Sequence, residues 1–151
     1  MESQYYTPTI EEFHVGFEFE MDAGTGWSKQ TFPKPWWESG GMGGINTLKR
    51  CIEDKSIRVK HLDRQDIEEC GWEMEKILVL DDDENDTYSD GFVKRIGNDV
   101  WFELVELGKF NFYIQKKWYR NSVTQMCRSV FYGNIRNKSE LKKLMQMLNI
   151  K

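Results

Sequence analysis

Apolar residues recur at every second position in several stretches of this chain, which is the period of a half-buried β-strand. In IEEFHVGFEFE (10–20) they fall at Phe13, Val15, Phe17 and Phe19. His14, Glu18 and Glu20 take the opposite face, with Glu12 just before them. The spacing predicts a strand over 10–20, a turn at Gly24-Thr25-Gly26 and a return strand over 27–32. INTLKRCIED (45–54) predicts a short helix and SIRVKHL (56–62) a strand. In DRQDIEECG (63–71), Asp63 can cap free amides and Gly71 can take the left-handed stop, so a helix of about two turns is expected.

The second half is denser in strand signals. WEMEKILVL (72–80), FVKRI (92–96), VWFELVEL (100–107), FNFYIQKKW (110–118) and CRSVFYGNI (127–135) read as strands. Gly97-Asn98-Asp99 and Gly108-Lys109 supply tight turns between them. PKPWWESGGMGG (33–44) and DDDENDTYSD (81–90) read as loops. Near the end, Asn137 can cap a helix, Glu140 sits at the reciprocal position of a capping box, and Leu141, Leu144, Met145 and Leu148 form its apolar stripe. Asn149 is a plausible stop. Consecutive strands joined by tight turns imply an antiparallel meander. The expected class is α+β: a twisted antiparallel meander of about six to seven strands, with a short middle helix and a C-terminal helix packed on the sheet.

At 151 residues the chain is expected to form a single domain, 1–151. Aromatics make up 14% of it, with six Trp, enough to fill a sizeable core. No apolar run approaches the ~20 residues of a membrane span, and MESQYYTPT lacks the basic-then-apolar order of a signal peptide. The expected setting is cytoplasmic, with no membrane contact. Cys51, Cys70 and Cys127 are odd in number and far apart, with no C-x-x-C pair, so free thiols are expected rather than a zinc site or a disulfide framework.

The net charge of −4 hides an uneven distribution. Residues 1–108 hold 11 Lys/Arg and 24 Asp/Glu, a formal −13, whereas residues 109–151 hold 10 Lys/Arg and one acid, Glu140, a formal +9. Such asymmetry points either to a charged partner or to acidic and basic strands that compensate each other.

YYTPTIEEFHVGFEFE (5–20), IRVKHLDRQDIEECGWE (57–73) and NIRNKSELKKLMQMLNI (134–150) resemble an uncharacterised family of small proteins found in Bacteroidetes-type gut bacteria and their phages and mobile elements. The opening and closing blocks carry most of the resemblance. It implies a bacterial or phage cytoplasmic setting and brings no catalytic residues. The Trp-rich loop and the acidic segment look like additions to the family's shorter pattern.

Four groups of residues invite a chemical reading. His14, Glu18 and Glu20, on one strand face, have the donor types of a transition-metal site, but a second His or Asp from elsewhere is needed, and a solvated face explains them more simply. In the acidic run, Asp81, Asp83 and Asn85 have the 1-3-5 spacing of a calcium loop. However, Asp86 stands where glycine is needed and Phe92 where glutamate is needed, so no metal is expected. Asp81, Asp82, Asp83, Glu84 and Asp86 can instead present carboxylates to a basic partner. Trp36 and Trp37 lie among glycines and prolines; such a pair either packs back on its own domain or serves as a contact hot spot. Lys116, Lys117, Arg120 and Arg128, interleaved with aromatics, could meet phosphates while rings stack on bases.

No nucleophile-elbow, zinc-protease, kinase or dinucleotide motif occurs. The leading expectation is therefore a non-catalytic binding protein without cofactor. It would act through protein–protein contacts at Trp36, Trp37 and the acidic residues, with a phage- or mobile-element-encoded inhibitor of a host defence protein as its most concrete form. The alternative is a nucleic-acid-binding accessory protein using Lys116, Lys117, Arg120 and Arg128. Pairing of a sheet edge with a second copy, giving a homodimer, is also open.

Overall fold

The structure is a computed structural model and describes residues 4–32, 44–80, 86–120 and 124–151. Among the described residues there are nine strands, more than the six or seven expected, in two antiparallel sheets with three α-helices. The α+β class and the C-terminal helix stand as the pattern predicts. None of the described helices is long and apolar enough to cross a membrane. The chain divides into two units: residues 1–61 with 137–139, and residues 62–136 with 140–151.

The first unit carries β1 (Tyr5–Tyr6), β2 (Glu18–Asp22), β3 (Trp27–Thr31), α1 (Gly44–Glu53) and β4 (Ile57–Lys60). Its strands are ordered β1-β4-β2-β3. Phe17, Phe19, Ile57 and Val59 are buried on one side, where Tyr6, Phe13, Met21, Phe32, Leu48 and Cys51 pack against them.

The predicted strand over 10–20 is shorter than its alternation suggests. Ile10–Glu12 forms a 3-10 turn, with Glu12 Oε1 accepting from Thr9 N at 2.8 Å. Gly16 then takes φ +85°, a left-handed conformation that ends any continuous strand before Glu18. Phe13 still reaches the core, with ring centroids 4.9 Å from Phe17 and 5.5 Å from Phe32. Phe13, Phe17 and Phe19 are thus brought to the core by a turn and a short strand rather than by one long strand, and Val15 stays exposed.

The second unit is a five-stranded meander in sequence order: β5 (Glu73–Leu80), β6 (Asp86–Arg95), β7 (Val100–Gly108), β8 (Asn111–Arg120) and β9 (Thr124–Asn134). It is preceded by α2 (Arg64–Glu69) and followed by α3 (Lys138–Met147). The run 81–90 is not a loop throughout, because its second half belongs to β6, where the β-formers Thr87 and Tyr88 pair with Val79 and Leu78. Asp63 caps α2 as its spacing predicts, accepting from Asp66 N at 3.0 Å. At the other end Gly71 adopts φ +82°, and Lys94 donates to the Cys70 carbonyl at 2.7 Å, a cation at the negative helix terminus. Glu140 reaches back to Arg136 N at 2.6 Å, one residue beyond the amide a capping box would use.

Alternation sorts this sheet into two faces. Phe102, Leu104, Phe112 and Ile114 point toward the helices and form one core with Ile67, Trp72, Leu141, Met145 and Ile150. On the opposite face Ile77, Val93 and Val105 make a smaller buried cluster. That cluster depends on the absence of a side chain at Gly91. A Cβ there would collide with Ile77 Cδ1 and come within 3.2 Å of the Leu104 carbonyl. Ile77 of β5 therefore lies across β6 to reach Val105 of β7.

Gly91→Ala is expected to destabilise the protein by about 1–3 kcal/mol, the usual cost of overpacking. Ile77→Val, which removes the colliding Cδ1, should relieve most of that loss when combined with it. Thermal unfolding of the two single variants and the double variant checks this: additive losses would contradict the proposed contact.

Candidate functional site

The helix-free face of β7 and β8 holds a buried polar network. Glu103 and Lys117 are both buried, with their side chains 8% and 11% exposed, and Lys117 Nζ lies 2.9 Å from Glu103 Oε2. Gln115 Nε2 donates to Glu103 Oε2 at 2.7 Å, and Trp101 Nε1 donates to Glu103 Oε1 at 3.0 Å. The Glu103 carboxylate thus accepts from three side chains, which offsets the cost of taking its charge out of water. Trp101 and Tyr119 extend the face with ring centroids 5.3 Å apart. Toward β5, Arg95 holds Glu75 in a two-pronged pair at 2.5 and 2.9 Å and also contacts Glu73. The Glu75 hydrogen bond raises the Arg95 pKa above its ordinary value.

β9 forms one edge of the sheet. Its register places Arg128 opposite Lys116 and Thr124 opposite Arg120. Lys116, Arg120 and Arg128 therefore share a face with Trp118 and Met126, while Lys117 lies on the other face, beside Cys127. Beyond Ser129 a register shift leaves Val130 as the extra residue, so β9 before the bulge is a regular segment, Thr124–Ser129, in which only Met126 is partly covered. No acid occurs anywhere in 109–139.

The sequence-predicted residues fare differently. Trp36, Trp37, Asp81, Asp82, Asp83 and Glu84 lie outside the described residues. Asp86 begins β6, paired with Leu80. Of the four basic candidates, Lys116, Arg120 and Arg128 come together; Lys117 is committed to Glu103. Of the interleaved aromatics, Trp118 shares the cations' face, whereas Tyr113, Tyr119 and Tyr132 fall on the opposite one.

His14 precedes β2 rather than sharing its face. Its Nδ1 donates to the Val15 carbonyl at 3.1 Å, and its ring meets Phe17 edge-on. Glu20 pairs with Arg58 at 2.7 Å, and that guanidinium lies 3.9 Å from the Tyr5 ring centroid and 4.1 Å from that of Trp27. Among the described residues no group of three or more His, Cys, Asp or Glu is placed to hold a metal ion.

Sequence reasoning missed the Glu103 network. The signal available was the charge alternation in WFELVEL against YIQKKW, an acid and a base on facing strands, but its pairing depends on a register that sequence spacing alone left open. Comparison of the chain with protein-family models, curated proteins and solved structures finds no match.

Glu103→Ala strands the buried Lys117 ammonium and is expected to cost about 3–5 kcal/mol, the range for breaking one side of a buried pair. Replacing both partners at once, Glu103→Met with Lys117→Leu, should cost much less than Glu103→Ala alone. Urea denaturation of the two variants measures the difference; equal losses would show that an unpaired Lys117 adds no cost of its own.

Proposed function

We propose that this chain is a small, non-catalytic cytoplasmic binding protein that acts through protein–protein contacts. The observation that supports this most directly is the edge of β9, which among the described residues pairs only with β8. A strand edge offers main-chain N–H and C=O groups to an incoming chain, a recurring mode of protein recognition. Trp36, Trp37 and the acidic residues Asp81, Asp82, Asp83, Glu84 and Asp86 are further contact candidates on chemical grounds. A phage- or mobile-element-encoded inhibitor of a host defence protein is the narrower form, and its support is the sequence resemblance alone.

Capture from bacterial lysate tests the reading. A stoichiometric protein partner should be retained by the wild type and reduced about tenfold or more when Trp36 and Trp37 are changed to Ala, since aromatic hot spots commonly carry more than one factor of ten in affinity. Absence of any partner would count against the proposal.

A second reading, a nucleic-acid-binding accessory protein, draws support from Lys116, Arg120 and Arg128 sharing one face on strands that carry no acid. It predicts retention on single-stranded DNA at low salt, with a salt slope that shrinks as each cation is removed. Tyr113, Tyr119 and Tyr132 lie on the other face, which leaves Trp118, between Lys116 and Arg120, as the partly exposed ring beside those cations.

A further inference from the structure

We infer that the Thr124–Ser129 stretch of β9 is a docking edge for an extended, acidic peptide segment, which would add to the meander as a sixth strand. This inference rests on the protein-binding reading and names the kind of partner. The two edges of the sheet differ in how they are protected. β5 carries Glu73, Glu75 and Lys76, and all three are engaged: the two glutamates with Arg95, and Lys76 with Asp90 at 2.5 Å. Such charged, tied side chains discourage a new strand. Thr124–Ser129 has no proline and a single charge, Arg128. Five of its six residues are exposed.

Charge selects the occupant. A strand laid along β9 would sit about 5 Å away, the ordinary inter-strand spacing, with its side chains beside Thr124, Met126 and Arg128 on one face. Lys116 and Arg120 stand one strand further in, about 10 Å from the newcomer and within a Debye length of it at low ionic strength. Glu103, the nearest acid on β7, is on the opposite face and already holds Lys117, while Glu106, which shares the cationic face, lies opposite Phe112, four positions along β8 from Lys116. Acids at alternate positions of the incoming strand would meet them. A second copy of β9 fits poorly: antiparallel self-pairing in one continuous sheet keeps both copies' Arg128, Lys116 and Arg120 on a common face with no acid between them.

The probe is a short synthetic peptide alternating Glu with Val, compared with its Lys counterpart and with a version N-methylated at alternate amides. Binding is read by fluorescence anisotropy and by hydrogen exchange of the β9 amides. The acidic peptide should bind about tenfold or more tightly than the basic one, through electrostatic complementarity, and should protect amides within 124–129. N-methylation should abolish binding. Arg128→Gln should weaken it, and Arg128→Glu should weaken it further and narrow the preference for the acidic peptide. Arg128 is exposed, so both variants should melt as the wild type does.

Equal binding of the N-methylated peptide would reduce the effect to charge alone and overturn strand addition. Self-association lost in a β9 variant would assign the edge to a second copy, and tighter binding of oligo(dT) that competes with the peptide would assign the face to nucleic acid; either overturns the proposal. If no peptide binds while the wild type still captures a protein from lysate through Trp36 and Trp37, the edge proposal fails and the protein-binding reading stands.

Discussion

Side chains on a strand alternate between two faces, and that constraint governs the second unit from β5 to β9. One face is given to Phe102, Leu104, Phe112 and Ile114, which meet α2 and α3. The residues that alternate with this set along the strands are thereby turned to the helix-free side, including Glu103, Gln115 and Lys117. An acid forced toward a buried position must find donors, and Glu103 finds three. The same alternation separates the cations: Lys117 is spent on Glu103, whereas Lys116, Arg120 and Arg128 lie together on the face of the sheet that carries Phe102 and Ile114. The acid–base asymmetry of the sequence is partly internal compensation and partly an unbalanced patch.

Much of the fold was legible because local signals agreed with one another. Asp63 and Gly71 bracket α2 with a side-chain acceptor and a left-handed stop, and both do so for reasons that hold in isolation. The meander strands were marked by alternation and by turns at Gly97-Asn98-Asp99 and Gly108-Lys109. Two readings failed where a second signal competed. In 10–20, the Thr9-Ile10-Glu11-Glu12 pattern is a capping-box signature, and it outweighs the alternation that follows it. In 81–90, acidic composition hid the strand-forming pair Thr87-Tyr88.

The candidate surface was less legible than the fold. Cross-strand pairing is set by register, and register depends on turns and bulges that spacing alone does not resolve. That is why the grouping of Lys116 with Arg128, and the separation of Lys117 from both, emerged only from the strand pairing. In the proposed protein-binding role, main-chain groups along β9 would supply general affinity and the charges beside it selection. The two edges of one sheet differ in charge, β5 carrying ion-paired Glu73, Glu75 and Lys76 and Thr124–Ser129 of β9 only Arg128.

The empty position at Gly91 has a consequence for how this sequence can change. Because Ile77 occupies the space a side chain at 91 would need, the two sites cannot vary independently. A lineage that trims 77 before gaining a methyl at 91 avoids the overpacked intermediate that the reverse order passes through. Drift at this pair is therefore directional. Sequences that descend from a common ancestor with this sheet should keep glycine at 91 wherever isoleucine remains at 77.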